Sequence, residues 1–493
     1  MNLPVSLAPS SRPSLYLPDA PVLVAAPGRA VLLDPDGELH ALPAAEAARR
    51  LRRLPPPLLV HAPATFRRLG VARLPAYDLL ELFAFALPAH HAAPSPRGLA
   101  LVLGLAPAGH GLEAEAALLP QIAAALLERI AAARAMPANA NAAGLAALMG
   151  RAGWGWAPFV MAALGRPHEP PAPDGLRAWR RLAEWEEDAP PPPPASHPVQ
   201  PAEARARLAE MLGAAAEPRP GQSDYAAAAS EAFAPREAAG TPLVVLAEAG
   251  TGTGKTLGYI APASLWAERN RGAVWISTFT RHLQRQVEAE LARLYPEPAL
   301  RRRRVVVRKG RENFLCLLNL EDAVTAALGR EAAALIPLGL VARWAEASAD
   351  GDLQGGDLPG WLAELFGPAA ILGLADRRGE CIHAACTHWR RCFVEHSIRR
   401  AREADLVVAN HALVMVQAAW GGLDEPGVPL RYVFDEGHHL FDAADSAFAV
   451  ELSGASMAEL RRWLLGAEGS RSRARGLAFR IEELLGEKPA LRT

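Results

Sequence analysis

The stretch AGTGTGKT, at residues 249–256, decides which fold this chain is expected to have. It follows an apolar, β-branched run, LVVL at 243–246, which predicts a strand, and a helix-like stretch begins near Lys255. A glycine-rich loop between a strand and a helix is the arrangement that cradles phosphate groups. An ordinary glycine-rich turn is the alternative. The flanking pattern favours the phosphate-binding loop.

The residue types of this loop suit the binding of a nucleotide. Glycines lack side chains, so their backbone N–H groups can turn toward phosphate oxygens. The lysine would neutralise the terminal phosphates, and the threonine after it would hold Mg²⁺. The predicted nucleotide-binding residues of the loop are Gly250, Thr251, Gly252, Thr253, Gly254, Lys255 and Thr256.

A second motif, VFDEGHH at 433–439, places two acids after another apolar strand-like run. Ligands of open α/β sheets bind at the carboxyl ends of the strands. One carboxylate there can anchor Mg²⁺ while the next orients and deprotonates an attacking water. A solvated turn is the alternative for so short a match, and the upstream loop favours catalysis. The predicted catalytic residues are Lys255, Asp435, Glu436 and His438, with Thr256 and Asp435 as Mg²⁺ ligands.

The chain has four cysteines, and all of them lie between the glycine loop and the acidic pair: Cys316, Cys381, Cys386 and Cys392. Four thiols with none to spare indicate one site with four ligands. Structural zinc usually has two C-x2-C pairs, which are absent from this sequence, so the spacing favours a 4Fe-4S cluster over zinc. Disulfides are the other alternative. We expect no signal peptide and a reducing cytoplasm, which disfavour them.

At these residues the chain resembles the DinG branch of the XPD-like iron–sulfur helicases, over roughly residues 218–493. Ala249 at the first loop position is usual in superfamily 2 helicases, and the cysteine spacing is similar to that of the cluster ligands in this branch. Arg219 and Gln222, in RPGQ, match the motif that reads adenine in that family. The motifs VWISTFTRHLQRQ at 274–286, RKGRENFLC at 308–316 and ADLVVANHALV at 404–414 follow in the order of the family.

The physical properties of these segments suit DNA binding. Thr278 and Thr280 can donate to phosphate, and Arg281 and Arg285 lie one helical turn apart. Arginines that merely solubilise this region are the alternative. The basic and aromatic residues predicted to surround a single strand near the cysteines are Arg301, Arg302, Arg303, Arg304, Arg308, Lys309, Arg311, Phe314, Trp389, Arg390, Arg391, Phe393, Arg399, Arg400 and Arg402.

Length and composition limit the number of domains and the classes of protein that are possible. A length of 493 residues predicts about three domains. The net charge of −1 says nothing about nucleic acid, so local basic segments must carry that prediction. The apolar content of 51% is raised by alanine, and no uninterrupted apolar run predicts a membrane span. We expect a cytoplasmic protein without membrane partners.

The proline-rich stretch EEDAPPPPPASHP, at 186–198, predicts an extended spacer. Upstream of it, LVHAPATFRRLG at 59–70 and YDLLELFAFALP at 77–88 resemble segments of DnaQ-like exonucleases. Arg67 stands where that family has an aspartate, and it would repel Mg²⁺. Asp36-Gly37-Glu38 predicts a hairpin turn rather than a first acidic pair. We therefore expect a domain that has lost two-metal catalysis, in which His61 is structural.

The resemblance implies an α/β fold, in which a RecA-like P-loop domain with an inserted, mainly helical 4Fe-4S domain follows a degenerate exonuclease-like α/β domain. The expected boundaries are 1–185 for the exonuclease-like domain, 186–200 for the linker and 201–445 for the helicase domain. The cluster insertion is expected at about 305–403, and the start of an arch domain at 446–493.

The implied activity is that of an ATP-dependent 5′–3′ DNA helicase in DNA repair or replication. It would use ATP, Mg²⁺ and a 4Fe-4S cluster on single-stranded or forked DNA. The sequence after His439 predicts helices but no second RecA-like domain, so we expect a truncated chain or a separate polypeptide that carries that domain. The alternative function is a non-motor module that binds ATP and a single strand.

Overall fold

The computed structural model describes residues 16–106, 109–186, 192–213, 217, 219–238, 241–250, 252–329, 332–376, 381–419, 431–450, 452, 454–466, 476–478 and 481–482. Helices and mixed or parallel sheets alternate along them, so the predicted α/β class is confirmed. The first compact unit comprises Met1–Pro198, Ser264–Ala273 and Tyr295–Val407. The second comprises Val199–Ala263, Val274–Leu294 and Val408–Thr493.

The N-terminal part of the first unit combines a mixed sheet with helices. Its elements are β1 (Val22–Ala26), β2 (Arg29–Leu33), β3 (Leu39–Pro43), α1 (Ala44–Leu51), β4 (Leu58–Leu59), α2 (Ala62–Leu69), β5 (Tyr77–Asp78), α3 (Leu79–Ala86), α4 (Pro96–Leu103), α5 (Leu112–Ala132), α6 (Ala142–Arg151) and α7 (Ala157–Ala163). The sheet order is β3-β2-β1-β4-β5. β1, β2 and β3 pair antiparallel, whereas β4 pairs parallel with β1 and β5.

Successive side chains of β1 point to opposite faces of this sheet and enter two different cores. Val22 and Val24 belong to a large core that includes α3 and α5. Leu23 and Ala25 belong to a smaller core with α1 and α2. The predicted hairpin turn is confirmed, because the Asp34 N–H donates to Glu38 O at 2.9 Å between β2 and β3.

Asp78 is a buried structural carboxylate at the end of β5. It accepts hydrogen bonds from the backbone N–H groups of His61 (3.0 Å), Ala62 (2.6 Å) and Leu80 (3.0 Å). Burial raises the pKa of Asp78. His61 precedes α2 in a left-handed conformation, with φ of 62°, and its Nδ1 accepts from the Ala64 N–H at 3.3 Å. These contacts suit the predicted structural role of His61.

Further elements follow in chain order. They are α8 (Pro201–Leu212), α9 (Pro220–Ala229), α10 (Lys255–Asn270), β6 (Val274–Thr278), α11 (Arg281–Leu294), α12 (Pro298–Arg304), β7 (Val305–Val307), α13 (Leu317–Gly329), α14 (Leu335–Ala347), α15 (Trp361–Phe366), α16 (Pro368–Leu372), α17 (Phe393–Glu403), β8 (Leu406–Asn410), α18 (His411–Ala419), β9 (Arg431–Phe434), α19 (Leu440–Phe448) and α20 (Gly454–Leu465). The predicted helix from Lys255 and the predicted strands of the later motifs are confirmed as α10, β6, β8 and β9.

The second sheet has the order β7-β8-β6-β9. The division between the two units falls within β8, between Val407 and Val408. Within the second unit, β6 and β9 pair parallel, with Val274 opposite Arg431 and Ser277 opposite Phe434. Parallel pairing brings the carboxyl ends of these two strands to the same edge of the sheet.

The strand predicted at 243–246 is wrong. Residues 241–250 form neither helix nor strand, and Leu243, Val244 and Leu246 are exposed. A β-strand exists only through hydrogen bonds to a neighbouring strand. Among the described residues, β9 ends the sheet and pairs with β6 alone, so the apolar run has no strand beside it.

The boundaries of the two compact units differ from the predicted domain boundaries. The first unit contains both the N-terminal region and the segment with the cysteines, and it ends one of its pieces at Pro198. Residues 187–191 of the proline-rich stretch lie outside the described residues. Of the two helical stretches predicted after His439, the one at 457–469 overlaps α20, and the one at 476–486 lies largely outside the described residues. The domain boundaries remain predictions.

Among the described helices, none is by itself long and apolar enough to cross a membrane. One pair, Leu112–Ala132 with Pro137–Arg151, meets the length and composition only when taken together, and it bends by 113°.

Replacing Asp78 with alanine should destabilise the first unit by about 3 kcal/mol, because three buried N–H donors would lose their acceptor. Urea unfolding followed by circular dichroism measures the change. Asp78→Asn keeps one acceptor oxygen and should cost less. Asp36→Ala, at an exposed turn, is the control and should leave the curve unchanged. A wild-type curve for Asp78→Ala would contradict the structural role.

Candidate nucleotide and thiolate sites

The glycine loop has the backbone conformation that its sequence predicts. Gly252 and Gly254 have φ of 80° and 83°, in the left-handed region that glycine adopts without strain. The Thr253 hydroxyl donates to Gly250 O at 2.9 Å and closes the loop. α10 begins at Lys255, so the positive end of its dipole lies next to the loop. The predicted ligand Thr251 lies outside the described residues.

Two predicted residues at the start of α9, Arg219 just before the helix and Gln222 within it, contact this loop. The Gln222 amide nitrogen donates to Gly254 O at 2.9 Å, and Gln222 is buried. A Cβ at position 254 would come too close to that amide, and the positive φ of 83° also favours glycine there. The Arg219 guanidinium lies 3.5 Å from Gly252 O. The structure thus brings both residues to the loop, and their role in reading adenine remains a prediction.

Lys255 and Glu436, which are 181 positions apart in the sequence, meet at this site. The Lys255 ammonium lies 3.0 Å from a Glu436 carboxylate oxygen. The hydrogen bond and charge of Lys255 lower the pKa of Glu436, which therefore stays ionised at neutral pH. Glu436 has a left-handed backbone, with φ of 54°, which a non-glycine residue adopts only at a cost in free energy.

Asp435 is held at the end of β9 by its own backbone. Its N–H donates to Ser277 O on β6 at 2.8 Å, and the side chain is buried. Burial raises the pKa of Asp435, and the adjacent charge of Glu436 raises it further. A buried carboxylate of this kind is suited to share its charge with a cation.

Sequence reasoning missed Tyr259, which lies on α10 one turn after Lys255. Its hydroxyl is buried beside Thr256 and Asp435, and burial raises its pKa well above the ordinary value, with Asp435 adding to the shift. The spacing of four residues is the signal that could have found it, because positions i and i+4 share a helix face. The predicted Mg²⁺ ligands therefore share their surroundings with this phenol.

Three rings surround the turn that carries the acidic pair. His438 is exposed, and its Nδ1 lies 3.6 Å from a Glu436 oxygen. His439 stacks on Phe279 with the ring centroids 3.8 Å apart. His411 is buried, with its Nδ1 2.7 Å from the Ser277 hydroxyl. Of the three histidines only His438 was predicted, although His411 belongs to the quoted motif at 404–414.

The four cysteines occupy turns and helix starts in the first unit. Cys316 directly precedes α13, and Cys392 directly precedes α17. Burial raises the pKa of Cys316, and the charges of Asp376 and Cys386 raise it further. Burial also raises the pKa of Cys392 to about 11, with smaller effects of Glu395 and Cys316. Cys316 therefore lies within electrostatic reach of both Cys386 and Cys392.

Backbone N–H groups and one arginine lie around these thiols. N–H groups of the first turn of α13 lower the pKa of Cys316, and those of α17 lower the pKa of Cys392, although burial raises both pKa values more. The Cys381 sulfur accepts from the His383 N–H at 3.3 Å, and Arg311 lies beside Cys381. These groups favour the deprotonated sulfur that a metal requires, but burial outweighs them at Cys316 and Cys392, so a bound metal would itself have to displace the protons of these two thiols. The donor set fits an iron–sulfur cluster or zinc, since both bind thiolates.

A third group of possible metal ligands lies at the β2–β3 hairpin, where ligand atoms of Asp34, Glu38 and His40 come within 4.8 Å of one another. His40 Nε2 lies 2.9 Å from an Asp34 oxygen, so the polar atoms already satisfy one another. This group is far from both predicted sites in the sequence.

Many of the residues predicted to contact DNA are buried or form ion pairs with other residues of the protein. Phe314 and Phe393 are buried in the core, and Thr278 is fully buried on β6. Arg308 is also buried, and it donates to the Ser397 hydroxyl at 3.1 Å. Other members form contacts within the first unit: Arg304 with Asp405, Lys309 with Asp352, Arg311 with Asp376, and Arg391 with Glu184. The prediction was wrong for the buried residues, because sequence spacing does not reveal which side chains enter the core.

Other members of the predicted DNA-binding set are exposed. In the segment with the cysteines these are Arg302, Arg303, Arg390 and Arg402. In the second unit, Thr280 and Arg285 are exposed after the end of β6. The side chain of Arg281 lies outside the described part of the chain.

No family model matches the sequence. The ATP-dependent helicase DinG of Mycobacterium tuberculosis is 35% identical over 264 residues, which cover 48% of this chain and 37% of that protein. The ATP-dependent DNA helicase YoaA of Escherichia coli is 31% identical over 255 residues, which cover 50% and 37%. The 3′-5′ exonuclease DinG of Bacillus subtilis is 30% identical over 234 residues, which cover 46% and 23%.

The matched region spans less than two fifths of each of these relatives. Their shared names nevertheless agree with the glycine loop, the acidic pair and the order of motifs described above. Over about half of its length, this chain is thus similar to proteins named as DinG and YoaA helicases.

Proposed function

We propose that this chain is the ATP-hydrolysing part of a 5′–3′ DNA helicase that moves along a single strand or a fork. The observation that carries the proposal is the meeting of Lys255 and Glu436 at 3.0 Å, next to the glycine loop. Relatives named ATP-dependent DNA helicases support the activity. The direction of movement rests on the family resemblance.

Different residues of the second unit have different proposed roles in phosphoryl transfer. Bound ATP would supply the γ-phosphoryl group, and Mg²⁺ would neutralise its charge. The backbone N–H groups of the loop and the Lys255 ammonium bind the phosphate oxygens. Thr256 and Asp435 would hold the cation.

Glu436 is the proposed general base. Its pKa is lowered by Lys255, so the carboxylate is available to accept a proton from the attacking water at neutral pH. The left-handed backbone at Glu436 directs the side chain toward Lys255. His438, 3.6 Å from Glu436, is placed to orient it.

The four cysteines are proposed to bind a 4Fe-4S cluster. The mutual electrostatic reach of Cys316, Cys386 and Cys392 supports one shared centre. The cluster would fix the surrounding turns in one conformation. Zinc is the competing occupant.

The N-terminal region is proposed to be an exonuclease-like domain without two-metal catalysis. β1 has the sequence VLVAA, which offers no carboxylate for Mg²⁺. Arg67 lies on α2, where its charge opposes cation binding.

Removing the Lys255 ammonium should weaken ATP binding. Lys255→Ala is expected to weaken the binding of a fluorescent ATP analogue by about 10- to 100-fold, because a charge-assisted phosphate contact is lost. Fluorescence anisotropy gives the affinity. Arg285→Ala removes an exposed positive charge from the same unit and should bind as the wild type does. Unchanged affinity in Lys255→Ala would argue against the assigned role.

Glu436→Gln separates binding from hydrolysis. It should keep ATP affinity and lower single-strand-stimulated phosphate release by about 100- to 10,000-fold, since the proton acceptor is lost. Glu231→Gln, at an exposed position of the same unit, is the matched control. Equal loss of binding and turnover would exclude a purely catalytic role. A wild-type chain that binds ATP and DNA without turnover would support the non-motor alternative instead.

Cys386→Ser should lose most of the bound iron and the brown chromophore, because one of four thiolate ligands is removed. Iron content and the absorbance spectrum are measured on the full chain prepared without oxygen. His383→Ala changes an exposed residue of the same turn and should keep the iron. Tight zinc without iron in the wild type would favour the zinc site.

A further inference from the structure

The turn between the last two cysteines, residues 386–392, packs against residues 179–185 of the N-terminal region. Both segments belong to the first unit. The Trp185 backbone N–H donates to Arg390 O at 2.9 Å, and its indole N–H donates to Trp389 O at 2.9 Å. One tryptophan thus holds two successive carbonyl groups of the cysteine turn.

The indole of Trp185 also joins that turn to the helix after it. Its ring packs edge-on against Trp389, with the centroids 4.5 Å apart. The Arg399 guanidinium, on α17, lies 3.2 Å from the centroid of Trp185 and 5.0 Å from that of Trp389. A cation over an aromatic face is attracted to the ring electrons. Trp185 is therefore sandwiched between two elements that meet at Cys392.

Neighbouring residues extend the contact on both sides. The Arg391 guanidinium donates to Leu182 O at 3.0 Å and pairs with Glu184 at 2.6 Å. On the other side, the ring of Trp179 lies edge-on to His388, and His388 Nε2 lies 2.8 Å from a Glu321 oxygen on α13. α13 is the helix that follows Cys316, so these contacts reach the first cysteine as well.

The N-terminal region and the segment with the cysteines also pack against each other at a distance from the turn at 386–392. Arg343 of α14 is largely buried, and it donates to Phe85 O at 2.7 Å and to Asn139 Oδ1 at 2.9 Å. The Trp361 indole donates to Ala92 O at 3.0 Å. Gly339 of α14 approaches Met149 so closely that a Cβ would clash with its sulfur. The segment with the cysteines thus packs against the N-terminal region through buried contacts.

We propose that the N-terminal region is the scaffold of the cysteine site, and that Trp185 holds the turn at 386–392 in the conformation that presents Cys386 and Cys392 together. A region proposed above to lack two-metal catalysis would thereby have the function of positioning metal ligands. The metal readout of this proposal rests on the thiolate site proposed above, whereas the conformation of the turn does not.

The test uses the full chain prepared without oxygen. Trp185→Ala should release iron to a ferrous chelator roughly tenfold faster than the wild type, equivalent to about 1.4 kcal/mol. Trp185→Phe keeps a ring for Arg399 but loses the indole donor, so its rate should be intermediate. Glu184→Gln should release iron faster as well. Glu169→Gln breaks a pair with Arg166 inside the N-terminal region and should match the wild type.

Hydrogen exchange of the metal-free protein gives a second readout that needs no cluster. Trp185→Ala should lose protection at the amides of 389–392, while Glu169→Gln keeps it. Wild-type protection and iron release in both Trp185 variants would overturn the scaffold. A wild type without iron would refute the cluster alone, because exchange would still decide whether Trp185 orders the turn.

Discussion

The parallel hydrogen bonds between β6 and β9 determine where the chemistry of the second unit lies. They place the end of β9 beside Ser277, whose carbonyl accepts from the Asp435 N–H. With that turn held, Glu436 takes up its left-handed conformation and meets Lys255 from the start of α10. The loop with its helix and the acidic turn are thus two segments, far apart in the sequence, that meet through Lys255 and Glu436.

Local patterns predicted the elements that carry this site, because strands and helices leave a periodic signal in the sequence. α10, β6 and β9 form where expected. The run at 243–246 has the same apolar character as β6 but no strand beside it, so composition alone gave the wrong answer. Strand formation depends on a partner that may lie anywhere in the chain, and no local signal identifies it.

Residue types likewise predicted the site only in part. The loop, the lysine and the acids were identified because their chemistry requires those residues at that spacing. Tyr259 and His411 were missed, since a phenol or imidazole has many uses and only burial beside Asp435 or Ser277 reveals this one. Conversely, Phe314 and Phe393 were assigned to a DNA surface, but they pack in the core. Aromatic side chains fit both surroundings.

The joint core of the first unit has a consequence for how the chain is made. Met149 packs against Gly339 of α14. The ribosome translates Gly339 about 200 residues after Met149. At roughly 5–20 residues per second, the ribosome needs about 10–40 s for that interval. Apolar faces of α6 stay uncovered in the meantime, and contacts of such long sequence separation also slow folding. The apolar surface of this N-terminal region is therefore exposed for longer during synthesis than that of a self-contained domain would be.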